Sequence, residues 1–135
     1  MVDRGAIENV LNRYALAYDE DDMPDMADCF TQDASFSMRI QDGDLIGPFE
    51  GREAIVKLMR DSLASQTDRR RHLTTNIVVS GDGDGRATAS SYLTLVSVEN
   101  GALTVLSSGR YVDELIQEGD AWRIAQRHLD LDLPY

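Results

Sequence analysis

From Arg69 onward nearly every segment alternates apolar and polar residues, and the segments are separated only by short glycine-bearing turns. These turns are Gly81-Asp82-Gly83-Asp84-Gly85, Glu99-Asn100-Gly101 and Glu118-Gly119-Asp120. Strands joined by turns this short pair with their sequence neighbours as an antiparallel meander. The pattern predicts strands at 69–79, 86–98, 102–114 and 122–129. The first of these turns resembles a calcium loop only superficially, because no third acidic ligand or closing glutamate follows at the required spacing. A sheet of this extent has an apolar face that another layer must cover.

The first half of the chain supplies that layer. Apolar residues at positions 7, 10, 11, 14, 17 and 18 mark one face of a helix, with Tyr14 and Tyr18 four apart on its buried side. The acidic run Asp19-Glu20-Asp21-Asp22 ends it. Asp22 reads as the N-cap of a second helix, with Pro24 and Asp25 in its first turn. Asp19 has no such role, and a carboxylate at a helix C-terminus opposes the macrodipole. Met23, Met26, Ala27 and Phe30 form the stripe of the second helix, which should stop at Thr31-Gln32-Asp33. Strands are then expected at Ala34–Ile40 and Leu45–Ile46, with Gly47, Pro48 and Gly51 breaking the chain. A third helix follows over Arg52–Ala64, with Ile55, Leu58, Met59 and Leu63 inward. Helices early and a meander late describe an α+β fold: a cone-shaped barrel whose curved antiparallel sheet wraps around three N-terminal helices. We expect one domain over residues 1–135.

The charge balance narrows the partners. With 24 acidic against 13 basic residues, the net charge of -11 repels phosphate backbones and anionic lipid headgroups, so neither nucleic acid nor a membrane is expected. The basic cluster Arg69-Arg70-Arg71 reads as a solvated loop entering a strand. A single cysteine, Cys29, gives no disulfide framework and reads as a small core residue. The N-terminus lacks the apolar run of a signal peptide. Together these features predict a soluble, cytoplasmic protein.

Chemistry-bearing residues concentrate on the strand that begins with His72. Alternation places His72, Thr74, Asn76 and Val78 on one face and Leu73, Thr75, Ile77 and Val79 on the other. Imidazole, hydroxyl and amide groups sharing a face suit the wall of a small-molecule pocket, where Asn76 would orient a polar group. A neutral imidazole is suited to removing a proton near neutral pH. Tyr14 and Tyr18 on the first helix, and Tyr92 and Tyr111 on the sheet, offer phenolic donors to a substrate oxygen. The two histidines and scattered carboxylates lack metal-ligand spacing, and no phosphate-cradling or dinucleotide motif occurs, so the implied chemistry uses no cofactor and no metal. Arg127 is harder to place. It lies an odd number of residues after Trp122, so a regular strand with Trp122 inward turns Arg127 outward and brings Gln126 and His128 inward, unless a bulge intervenes.

The order of elements, together with Arg13-Tyr14, Tyr18-Asp19, Cys29-Phe30-Thr31, Phe49-Glu50-Gly51-Arg52-Glu53-Ala54-Ile55, Gly109-Arg110-Tyr111 and Trp122-Arg123-Ile124, resembles the SnoaL-like branch of the nuclear transport factor two-like superfamily. The resemblance covers nearly the whole chain. Locally it is similar to scytalone dehydratase and hexachlorocyclohexane dehydrochlorinase, in which an aspartate ending the first helix pairs with a histidine opening the strand after the third. That resemblance implies Asp19 orienting His72 as general base, with Tyr18 beside them and Arg127 as a further catalytic residue. It implies a dehydratase-like lyase, or an isomerase using the same proton abstraction, on a small apolar or aromatic substrate. The same fold also serves non-catalytic subunits such as dioxygenase β subunits, and small-molecule-binding proteins, so an accessory role is the alternative. Relatives associate through the sheet, and both faces of the strands at 86–98 and 102–114 are rich in Thr, Val, Leu and Ser. A homo-oligomer, trimer or dimer, is therefore expected.

Overall fold

The computed structural model describes residues 2–135. Three helices, α1 (Arg4–Asp19), α2 (Met23–Asp28) and α3 (Arg52–Ala64), cover one side of a six-stranded sheet. Its strands are β1 (Phe30–Ile40), β2 (Ile46–Glu50), β3 (Arg69–Ser80), β4 (Arg86–Glu99), β5 (Ala102–Glu118) and β6 (Ala121–Leu131). They lie in the order β2-β1-β6-β5-β4-β3, so the sheet is curved but unclosed. The α+β reading holds, with one correction. The sheet is mixed, because β1 runs parallel to β6 while every other pair is antiparallel. The long connection through β2 and α3 returns the chain on the far side of β6, which is how β1 ends up beside a strand of its own direction.

Local chemistry sets the boundaries. Asp3 caps α1 by accepting from the Ala6 amide, so that helix starts before Ile7. Asp22 caps α2 by accepting from the Asp25 amide, as expected. Phe30 belongs to β1 and not to the second helix, so β1 starts four residues earlier than alternation suggested. A register irregularity between Phe30 and Ser35 hides the strand period there. β2 likewise continues through Gly47 and Pro48 to Glu50. As the outermost strand, it has a free edge on which a proline costs no ladder hydrogen bond. Gly51, at φ +92°, makes the left-handed step into α3 that a side chain would resist.

The core lies between α1, α3 and the concave face of the sheet. Ile7, Leu11, Tyr14 and Tyr18 of α1 and Ile55 and Met59 of α3 meet Leu93, Tyr111, Leu115, Ile124 and Leu129 of the sheet. Each such aliphatic side chain contributes on the order of 1.5–3 kcal/mol when fully buried. β3 is the other edge strand, and α1 covers it. Arg4 at one end of α1 donates to the Ile77 carbonyl, and Asp19 at the other accepts from the His72 amide. Edge groups that would otherwise invite pairing with another chain are thereby satisfied.

Two bulges decide which side chains face the core. β3 carries one extra residue between the Thr75–Tyr92 and Val78–Ser90 pairs, with Asn76 in the left-handed region at φ +55°. The alternation reverses there. His72 and Thr74 face inward before the bulge, Ile77 and Val79 after it, and Leu73, Asn76 and Val78 face out. β6 carries an extra residue at Ala125, between the Glu114–Gln126 and Leu115–Ile124 pairs. Trp122 and Ile124 are buried before that bulge, and Arg127, Leu129 and Leu131 after it.

Candidate active site

At the α1–β3 junction the acidic end of the helix meets the basic start of the strand. Glu20 takes hydrogen bonds from Arg69 and Arg71 at 2.6 and 2.9 Å on the surface, and those guanidiniums hold its carboxyl below the usual range. Arg70 turns inward and pairs with Asp68 at 3.0 Å. The arginine cluster is therefore a set of ion pairs and not a free solvated loop. Asp19, the residue without a structural role in the sequence, lies beneath them. Its Oδ2 accepts from the His72 backbone amide at 2.9 Å, and its Oδ1 lies 2.6 Å from His72 Nδ1. The histidine and aspartate side chains are only 7% and 6% exposed.

This two-point grip has a chemical consequence. An ionised carboxylate accepts only, so Nδ1 carries the proton in this bond, and in the neutral imidazole Nε2 then keeps its lone pair. Among the described residues no hydrogen bond occupies Nε2. The ring of Tyr18 lies against the imidazole, with centroids 4.4 Å apart. The Tyr18 hydroxyl accepts from Gln66 Nε2 at 3.2 Å, leaving its own proton free to donate. Burial pushes that phenol up to about 12, so it stays protonated at neutral pH.

His72, Tyr14, Tyr18 and Tyr111 line one cavity inside the cone, with Phe36, Met38, Leu58, Met59, Ser62, Leu93, Leu129 and Tyr135 completing the wall. Its volume is about 50 Å³, room for a few atoms and far below the roughly 300–1,000 Å³ of a drug-sized pocket. A substrate of ring size requires the wall to open, and Met38, Met59 and the partly exposed Tyr135 are its adaptable members. On the other side of the dyad, Asp19 and His72 also border a groove of about 560 Å³ between α1 and β3, flanked by exposed Leu16 and Leu73.

The remaining candidates divide. Tyr14 is buried, and its hydroxyl donates to Met59 Sδ at 3.7 Å. Tyr111 is buried beside it. Asn76 and Tyr92 do not belong to the cavity. The bulge turns Asn76 outward, and Tyr92, 53% exposed, stands on the convex face beside Thr75 and Arg110. Arg127 is inward, as only a bulge permits, yet it does not reach the cavity wall. It lies behind Tyr14 and Tyr111, bonded to Asp113. His128 is on the outer side, between Ser37 and Asp130. Asp113 and Tyr135 escaped the sequence reading. Asp113 carried a usable signal, an acid two residues from Tyr111 on the same inward parity, whereas Tyr135 carried none. Among the described residues no cluster of three His, Cys, Asp or Glu side chains is placed to hold a metal ion, and no helix is long and apolar enough to cross a membrane.

A cone of helices and curved sheet enclosing a small cavity defines the class: α+β proteins of nuclear transport factor two-like, or cystatin-like, fold. The model of the SnoaL-like domain matches residues 1–128, and the chain belongs to that family. The family includes enzymes, isomerases and cyclases among them. A Mycobacterium tuberculosis protein of unknown function is 34% identical, with a TM-score of 0.79 over 94% of this chain and 70% of that one. A nuclear transport factor two-like protein with a cystatin-like fold from Novosphingobium aromaticivorans is 21% identical, with a TM-score of 0.78 over 96% and 81% of the two chains. The β subunit of a candidate aromatic-ring-hydroxylating dioxygenase from the same organism is 19% identical, with a TM-score of 0.82 over 98% and 90%. No curated protein matches the chain.

Proposed function

We propose that this chain is a cofactor-independent enzyme, a dehydratase-like lyase or an isomerase, that begins its reaction by abstracting a proton from a small apolar or aromatic substrate. The observation that carries this reading is the His72–Asp19 contact of 2.6 Å, which leaves Nε2 free beside a cavity that is also lined by four tyrosines. In an elimination, Nε2 takes the proton from the carbon next to the one bearing the leaving group. The C–H electron pair becomes the new double bond as the C–O bond breaks. The departing hydroxyl leaves as water with a proton from Tyr18, which the imidazolium then restores. Asp19 stabilises that imidazolium and keeps the ring in its working tautomer. In an isomerisation the same base returns the proton to a different carbon.

The test is a screen of alicyclic and aromatic alcohols for loss of water, read by mass, with His72→Gln as control. Water loss that the control abolishes supports the reading. Water loss that survives in the control sinks it.

A second reading draws on the small cavity and on the likeness to a dioxygenase β subunit, which at this identity is one of fold. In that reading the chain is a non-catalytic subunit or binding protein. Retention of a dioxygenase catalytic subunit on the purified chain, with no turnover in the screen, would favour it.

Self-association accompanies either reading. Leu73, Val78, Tyr92, Val105 and Val112 are exposed on β3, β4 and β5. An apolar convex face of this kind is suited to a second copy of the chain. We expect a dimer or trimer by light scattering at micromolar concentration, and a monomeric mass contradicts it.

A further inference from the structure

The floor of the cone carries a charge pair that proton abstraction by His72 does not use. Arg127 Nε and Nη2 donate to the two carboxylate oxygens of Asp113 at 2.8 and 3.3 Å, and both side chains are 0% exposed. The guanidinium carbon lies 3.5 Å from the Tyr111 ring centroid and 4.2 Å from that of Tyr14. The two rings meet edge to face, with centroids 6.1 Å apart. Both belong to the cavity wall. The pair thus sits directly behind the two phenols that face the substrate space.

Stability alone does not account for this arrangement. A buried ion pair is often no better than apolar side chains of the same volume. This one also leaves Arg127 Nη1 buried without a partner among the described residues. What the guanidinium does have is two aromatic faces. A cation on the face of a phenol draws electron density from the ring, and the hydroxyl becomes a stronger donor. Tyr14 is poised for such use, because its acceptor is a thioether sulfur, weak enough for a carbonyl oxygen to replace. Burial holds both phenols above their ordinary range, and the Arg127 charge pulls them back toward it. They remain protonated donors with a cation behind them.

We propose that Arg127, locked in place by Asp113, is a positioning residue that orients and polarises Tyr14 and Tyr111 as a donor pair for a carbonyl or enol oxygen of the substrate. This rests on the cone cavity being the substrate site, and it deepens that reading by naming the group recognised. In a ketone bearing a β-hydroxyl, the donor pair stabilises charge developing on oxygen while His72 removes the α proton.

Infrared spectroscopy of bound cyclohexenone tests the proposal without turnover. Donor hydrogen bonds lower the carbonyl stretch, so the bound probe should absorb at lower frequency than in water. Tyr14→Phe and Tyr111→Phe, which keep the rings, should each lose part of that shift. The double variant Asp113→Leu/Arg127→Met removes the charges at similar volume and should lose a comparable part with both phenols still present. Should the double variant fail to fold, Arg127→Lys retains the ion pair but not the planar stack, and it too should lose part of the shift. His72→Gln should leave the shift intact while abolishing water loss. A failure of the base chemistry is thereby separated from a failure of this proposal. An undiminished shift in the folded charge variant or in both phenylalanine variants overturns it, as does the absence of saturable cyclohexenone binding to the wild type.

Discussion

Two carboxylates are buried against the inner side of the sheet, Asp19 at the α1–β3 junction and Asp113 on β5, and each holds one basic side chain in a different way. Asp113 meets Arg127 with both oxygens, and the pair is sealed from solvent at 0% exposure. Asp19 divides its oxygens between the backbone and the ring of His72, and the ring keeps one nitrogen unoccupied. The first arrangement immobilises its cation. The second immobilises an imidazole and leaves it able to accept a proton. Comparable burial thus produces a scaffold in one place and a reactive group in the other, and the difference is that the imidazole keeps a basic lone pair where the guanidinium has only N–H groups.

Breaking the two pairs should therefore injure different properties. The largest expected effect on stability is at Asp113. Asp113→Ala strands a buried guanidinium and should cost about 3–5 kcal/mol, read by chemical denaturation. The combined Asp113→Leu/Arg127→Met change should recover most of that loss. At the other pair, the largest effect should be on turnover. Once a substrate is identified, His72→Gln should lower its rate by roughly 10²-fold or more. Asp19→Asn should lower it comparably, and the double variant should be little worse than His72→Gln alone, because the two act as one unit. Rate losses that multiply would contradict the pairing.

Smaller effects sharpen the contrast between rim and floor. The Ser97 hydroxyl, then the Arg70 guanidinium, hold the Asp68 carboxyl below its ordinary range. A carboxylate whose pKa is lower folded than unfolded contributes stability above its unfolded value, and that contribution is lost as pH falls through the folded one. Melting temperature should therefore fall on acidification below about pH 4, and Asp68→Asn should flatten that limb. Burial moves Asp113 the other way, raising its carboxyl against the pull of Arg127. Its ionisation therefore works against folding as pH rises, and it adds nothing to the acid limb. The smallest effect should come from Glu20→Gln. This exposed carboxylate, shared by Arg69 and Arg71, should leave the melting temperature essentially unchanged, since such pairs are screened by water and salt.

What the sequence disclosed follows from what alternation and spacing can encode. Tyr14, Tyr18, Met59 and the helix-then-meander order were legible because helical and strand periods persist over many residues. The Asp19–His72 contact joins residues 53 apart, and no local pattern encodes it. It came from resemblance to a family, together with the oddity of an acid at a helix C-terminus. Asn76 and Arg127 were misplaced or ambiguous for one shared reason. An extra residue in a strand reverses every later side chain, and period-two reading cannot detect it. Asn76 held a clue, because asparagine tolerates the left-handed backbone that such a bulge requires. Ala125, at the other bulge, held none.

Nitrogen NMR of the histidine rings examines the central claim without any substrate. The chain has only two histidines, so His72 is assigned by its loss in His72→Gln. The account predicts that in the wild type His72 carries its proton on Nδ1 with Nε2 bare, and that Asp19→Asn abolishes this fixed tautomer while His128, held by Ser37 and Asp130 on the outer face, is unaffected. A His72 ring protonated on Nε2 in the neutral form, or one that averages freely between tautomers in the wild type, would contradict it.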